Sequence, residues 1–193
     1  MPRRIALWVD VAVKGALIGV LLLAVLRPEL PQFEGKAMTG RAIAYPIAAL
    51  VVPLAWWLYG QKRSDRYPYA LDILLTLPFL IDVAGNAFDL YDSIDWWDDA
   101  NHFVNWGLLT AAFGQLLVRL PVGRLIAVGL MIGFGATTAV LWEFAEYFTF
   151  IRDSPELDTA YEDTLGDLAL GLTGSVVAAL ITARLWELLR SSG

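Results

Sequence analysis

Six stretches of the chain read as apolar runs, from Ile5 to Leu26, Ala42 to Tyr59, Tyr69 to Leu90, Asn101 to Leu120, Leu125 to Phe150 and Thr164 to Leu189. Each approaches or exceeds the roughly 20 residues that carry a helix across about 30 Å of hydrocarbon. The pattern predicts an all-α polytopic membrane protein, with six transmembrane helices in one compact bundle over residues 1–193 and no room for a separate soluble domain. Pro46, Pro53 and Pro78 fall inside the expected helices. Kinks are tolerated there because neighbouring helices re-satisfy the freed carbonyls. The pairs Gly15 and Gly19, and Gly129 and Gly133, with the series Gly107, Ala111 and Gly114, offer small faces for close helix contact.

Composition strengthens this picture, since 58% of the residues are hydrophobic and eight are Trp. The first run follows Arg3 and Arg4 but is interrupted by Asp10 and Lys14, with no small-x-small site before Arg27. It therefore reads as a retained anchor rather than a cleaved signal. With the N-terminus inside, the cytoplasmic segments hold nine basic residues: Arg3, Arg4, Lys62, Arg63, Arg66, Arg119, Arg124, Arg184 and Arg190. The outer loops hold four, Arg27, Lys36, Arg41 and Arg152. The positive-inside rule then puts both termini in the cytoplasm and the acidic segment from Tyr91 to Ala100 outside. A net charge of −6 without a basic stripe sets nucleic acid aside, and the absence of cysteine removes disulfides, thiolate catalysis and soft-metal sites.

Against this apolar background the carboxylates stand out. A charge at the centre of a membrane helix costs about 2.5–3.5 kcal/mol on insertion scales, and such residues usually face a cavity, a partner or an ion. In the expected topology the fourth and sixth helices start outside and the fifth ends there. His102, Glu143, Glu146, Asp163 and Asp167 then share the outer half of the bundle. Asp98 aligns with His102 and Asn105, Glu143 with Glu146, and Asp163 with Asp167, each at helical spacing. The third helix adds Asp82, Asn86 and Asp89 at i, i+4 and i+7, a secondary stripe on one face.

If these stripes meet, seven carboxylates surround one imidazole: Asp82, Asp89, Asp98, Glu143, Glu146, Asp163 and Asp167 around His102. Crowded acids in a low dielectric take up protons, bind a cation, or recruit a base from elsewhere. Arg27, Lys36 and Arg41 of the first outer loop, or Arg152 of the last, are the available bases. For a metal, oxygen ligands with one imidazole and no sulfur suit Mg²⁺, Mn²⁺ or Ca²⁺ first and Zn²⁺ or Fe²⁺ second. The expected ligands are Asp98, His102, Glu143, Glu146, Asp163 and Asp167, with His102 and Glu143 as the pair to move a proton. Plainer roles stand beside these. Asp98 and His102 can be a helix-capping acid with an interfacial histidine, Asp163 a cap, and Asp82 a buried acid bonded to Asn86 or backbone. Asp10 and Lys14 fit an i,i+4 pair, and Asp72 an inner-interface charge.

The segments DDANHF (Asp98 to Phe103), WEFAE (Trp142 to Glu146) and DTLGDLALGLTG (Asp163 to Gly174) resemble small bacterial inner-membrane proteins of the DUF2238 type. They are similar more distantly to the VanZ-like family, although Glu146 stands where that pattern has Gln and no Asn follows Asp167 at the expected place. The resemblance implies a multi-pass protein of the bacterial inner membrane, associated with the cell envelope, rather than a particular reaction. No HExxH helix, phosphate-binding glycine loop or Gly-x-Ser-x-Gly elbow is present. Two classes of function remain. One is a metal-dependent hydrolase or transferase acting on a phosphorylated or glycosylated envelope lipid. The other is non-catalytic binding or transport of cations or protons, with a structural accessory subunit as a further possibility.

Overall fold

The computed structural model describes residues 2–60 and 66–192, and every described element is helical. Lys62 and Arg63, two of the basic residues assigned to the cytoplasm, lie outside the described residues. The chain divides into two compact units, Met1–Leu90 and Tyr91–Gly193.

In the first unit, α1 (Arg3–Leu26), α2 (Met38–Ala55) and α3 (Tyr69–Ala87) pack around one another. Helix α2 begins four residues before the expected Ala42, after Ala37, whose φ of 49° breaks the preceding turn. Arg41 is consequently a helix residue rather than a loop residue. Past Ala55 the helix widens into a π turn, Trp56–Gly60. Helix α3 stops at Ala87, short of the expected Leu90. Asp89 follows with φ of 58°, exposed and outside the helix, so it does not continue the face of Asp82 and Asn86.

A single turn, α4 (Leu90–Ser93), precedes α5 (Trp97–Leu117). The second unit continues with α6 (Arg124–Glu146), a π turn at Tyr147–Ile151, α7 (Ala160–Arg184) and α8 (Trp186–Ser192). Both α5 and α7 start four residues before their apolar runs. They take in Asp98, Asp99, Glu162 and Asp163, acids in the first turn that complement the positive end of the helix dipole.

Among the described residues, five helical segments are long and apolar enough to cross a membrane: Arg3–Leu26, Met38–Gly60, Tyr69–Ala87, Arg124–Thr149 and Ala160–Arg184. Helix α5 is also long, at 21 residues, but its first turns carry Asp98, Asp99, Asn101, His102 and Asn105. Helix α6 shows the inversion expected of a lipid-embedded helix. Its buried stripe is Ala127, Met131, Gly135, Ala139 and Glu143, whereas Leu125, Ile126, Leu130, Leu141 and Phe144 are exposed. Bulk points outward and small residues point inward, so backbones approach closely.

The closest approach in the second unit is made by α7. Its buried face runs Asp167, Gly171, Gly174 and Ala178, at helical spacing. A Cβ at Gly174 would lie 2.0 Å from the Phe103 carbonyl oxygen, and one at Gly135 would lie 2.0 Å from Ser175 Oγ. Gly107 faces the Gly174 carbonyl, and Gly114 meets Met131 and Thr182. These contacts set α5 and α7 side by side and parallel, with α6 returning the chain between them. By contrast, a Cβ added at Gly15, Gly19, Gly129 or Gly133, expected as packing faces, would meet no atom of another helix within 4 Å among the described residues. At the far end of the unit, Leu117, Val118, Ala127, Met131, Ala179 and Trp186 form a continuous apolar cluster.

Candidate functional site

Parallel α5 and α7 with antiparallel α6 bring the start of α5, the end of α6 and the start of α7 to one end of the second unit. His102 is at the centre, buried, with its ring stacked on Trp106 one turn on (centroids 5.3 Å apart, planes 3° from parallel). Trp142 meets Trp106 edge-on at 5.9 Å. The imidazole is therefore held in one plane by indole rings, and its two nitrogens point at acids.

On one edge, Nε2 lies 3.7 Å from Asp98 Oδ1 and 3.6 Å from Asp167 Oδ1. On the other, Nδ1 lies 3.7 Å from Glu143 Oε1. These separations are within ion-pair range but too long for good hydrogen bonds. Two three-residue groups could each hold an ion, their ligand atoms within 4.8 Å of one another: Asp98, His102 and Asp167, and His102, Glu143 and Glu146. Asp167, Glu143 and His102 are buried, Asp98 and Glu146 half-buried. Asp163 is exposed one turn before Asp167 and joins neither group. Asp95 and Asp99 are exposed.

The electrostatics are one-sided. No Lys or Arg occurs in the sequence from Tyr91 to Val118, Leu125 to Ile151 or Asp153 to Ala183. Among the described residues, neither Glu143, Glu146 nor Asp167 forms an ion pair with a lysine or arginine. The Thr164 side chain lies against the Glu143 carboxyl. Even so, the buried Glu143 Oε1 has no hydrogen-bond partner among the described residues, and neither do Trp106 Nε1, Asn105 Oδ1 and Thr110 Oγ1. Buried polar atoms in native proteins are normally satisfied, by ordered water or an ion where the protein supplies nothing.

Asp82 and Asn86, expected as a secondary stripe, have partners inside the first unit. Arg41 grips Asp82 with two nitrogens, Nε to Oδ2 at 2.8 Å and Nη2 to Oδ1 at 3.3 Å, and the Tyr45 hydroxyl donates to Oδ2 at 2.5 Å. Asn86 Nδ2 donates to the Asp82 carbonyl at 3.0 Å. Lys14 pairs with Asp10 at 2.8 Å, as its i,i+4 spacing predicts, and also with Asp72. Asp72, expected as an inner-interface charge, lies in the first turn of α3 and is fully buried, receiving both Lys14 and the Tyr67 hydroxyl. Burial and the Asp72 carboxylate push the Tyr67 phenol well up, so it remains a proton donor.

Trp106, Trp142 and Thr164 shape the site without having been singled out from sequence. Trp106 carries a readable signal, since it lies one turn beyond His102 on the same face. Trp142 and Thr164 depend on helix register and carry none.

Residues 10–187 match the family described as "Predicted membrane protein (DUF2238)". A protein of Thermotoga maritima, described only as uncharacterized, is 33% identical over 138 residues, covering 66% of this chain and 69% of the relative. No solved structure matches. With the family match running through both units and every helix around His102, the chain belongs to the DUF2238 family of membrane proteins.

Proposed function

We propose that this protein crosses the bacterial inner membrane six times, both termini cytoplasmic, and binds a divalent cation at an outward-facing site of Asp98, His102, Glu143, Glu146 and Asp167. The sixth traverse is α5, whose polar Asn101, His102 and Asn105 side chains are turned into the unit. Mg²⁺, Mn²⁺ or Ca²⁺ fit the oxygen-rich set first, and Zn²⁺ or Fe²⁺ second. The observation that carries the reading is one imidazole flanked on both ring nitrogens by carboxylates from three helices, with no lysine or arginine paired to Glu143, Glu146 or Asp167 among the described residues. Asp163, exposed at the rim, is an entry or outer ligand.

Within this reading the protein is a metal-dependent hydrolase or transferase whose substrate is a phosphorylated or glycosylated lipid headgroup. A bound cation would polarise a phosphoryl or leaving-group oxygen, and His102 or Glu143 would move a proton. The alternative is cation or proton binding or transport without catalysis, or an accessory role. In favour of the first reading, the far end of the second unit carries the apolar cluster of Leu117, Met131, Ala179 and Trp186.

Elemental analysis of purified protein tests the reading, comparing wild type with Glu143→Gln and Asp167→Asn. Stoichiometric metal in the wild type and its loss or strong reduction in both variants is expected. A metal-free wild type after growth and purification with the candidate ions present sinks the proposal.

A further inference from the structure

The two edges of His102 are chemically unequal. The Nε2 edge faces two carboxylate oxygens at 3.7 and 3.6 Å, one on the half-exposed Asp98 and one on the buried Asp167. The Nδ1 edge faces Glu143 Oε1, with Glu146 close enough to complete a three-ligand set. Only one ring nitrogen of a neutral imidazole carries a proton. None of these separations is a hydrogen bond, but two carboxylates against one at comparable distances favour the proton on Nε2, which leaves a lone pair on Nδ1 pointing at a carboxylate.

A lone pair facing a carboxylate oxygen across 3.7 Å is repulsive unless something positive lies between them. The gap is too long for a hydrogen bond, and an ion at about 2.1 Å from each atom would span it. Glu143 supplies the second, independent observation. Its side chain is 6% exposed, and Oε1 has no hydrogen bond among the described residues. A buried carboxylate oxygen in that condition costs several kcal/mol in hydrocarbon-like surroundings, a cost a coordinated cation removes.

We infer that the cation sits on the Nδ1 edge, held by His102, Glu143 and Glu146, while the carboxylates of Asp98 and Asp167 flank Nε2 and bias the ring toward the Nε2-protonated tautomer. Asp98 and Asp167 are thus positioning residues, in the arrangement by which carboxylates behind metal-bound histidines raise their basicity. Trp106, stacked on the ring face, completes the orientation. The assignment rests on the proposed metal site and divides its four acids between two tasks around one imidazole.

The chain contains a single histidine, so an isotope-labelled histidine reports on one ring. Full-length protein in nanodiscs, labelled with ¹³C and ¹⁵N histidine, would be examined by NMR with and without Zn²⁺ as a diamagnetic probe. Expected is Zn²⁺ ligation at Nδ1 with the proton retained at Nε2. Zn²⁺ affinity should fall at least 100-fold in Glu143→Gln and about 10- to 100-fold in Asp167→Asn, the usual range for an outer-shell partner. The Asp167 variant should also populate the other tautomer before metal is added. Glu146→Gln serves as the second ligand variant should Glu143→Gln fail to fold, and the wild-type spectrum decides the edge without any variant. Ligation at Nε2 would overturn the assignment while leaving a metal site in place. A doubly protonated ring unmoved by saturating Zn²⁺, with no metal retained, would overturn both.

Discussion

Each unit of this protein buries acids inside apolar helices, yet the two units treat them differently. In the first, Asp82 is gripped by Arg41 and Tyr45, and Asp72 by Lys14 and Tyr67. Charge is matched locally, and the partner cations sit on α1 and α2, the helices that pack on α3. In the second, Glu143 and Asp167 converge on His102 with no basic residue on the central stretches of α5, α6 or α7. A buried acid with its own cation reads as architecture. A buried acid beside another acid lacks that local match, since no lysine or arginine pairs with Glu143 or Asp167 among the described residues.

The contrast can be broken most forcefully at Arg41. Arg41→Met removes the guanidinium from a carboxylate whose side chain is 8% exposed, and should cost about 3–5 kcal/mol of stability, the usual consequence of breaking a buried pair on one side. The double variant Arg41→Met with Asp82→Leu should regain most of that loss, since replacing both members by apolar groups is often near neutral. Unfolding in detergent micelles, followed by circular dichroism, measures both. A loss no larger than that of a surface pair, about 0–1 kcal/mol, would mean that Asp82 does not depend on its cation.

A smaller effect is expected at the crossing that assembles the second unit. Gly174→Ala places a methyl 2.0 Å from the Phe103 carbonyl oxygen, a clash with backbone that only separation of α5 and α7 relieves. Overpacking of this kind costs about 1–3 kcal/mol. Because His102 lies next to Phe103, the same separation should weaken binding of added Mn²⁺, read by electron paramagnetic resonance. Gly133→Ala, where an added methyl meets open space, is the control: it should leave Mn²⁺ binding unchanged and raise rather than lower stability, by about 0.5–1 kcal/mol from helix preference alone.

These two sites also show what the sequence can carry. Apolar runs locate all the long helices to within a few residues, because lipid imposes length and hydrophobicity on each helix separately. Helical spacing likewise places Asp98 with His102 and Glu143 with Glu146, since neighbours one turn apart need no tertiary knowledge. The misplaced features are those fixed by contact between distant residues. Arg41 reads from sequence as a loop residue because a charge precedes its apolar run, and its bond to Asp82, 41 residues away, depends on how α2 packs on α3. Asp72 reads from sequence as a lone charge, and its pairing with Lys14, 58 residues upstream, follows only from the packing of α1 on α3. Gly174 belongs to a visible glycine repeat, but the carbonyl it abuts depends on the register of two helices. Asp89 falls at the right spacing yet lies past the end of α3, where a φ of 58° ends helical periodicity.

The finest test of the contrast is one of sign. If Glu143 lies beside other acids with no cation from the chain, then in chelator-treated protein Glu143→Gln removes repulsion and a desolvated charge. It should raise stability by roughly 0.5–2 kcal/mol, as relief of an unfavourable functional site commonly does. The same change in the first unit, Asp82→Asn, should lower stability, because Arg41 loses its anion. Adding Mn²⁺ to about 100 times its dissociation constant should then stabilise wild type by about 2.7 kcal/mol and leave Glu143→Gln nearly unmoved, so the two melting curves exchange order. Thermal scans with and without metal give all four values from one preparation of each protein. If Glu143→Gln melts below wild type in chelator, the chain already satisfies that carboxylate, and the two units handle buried charge in the same way.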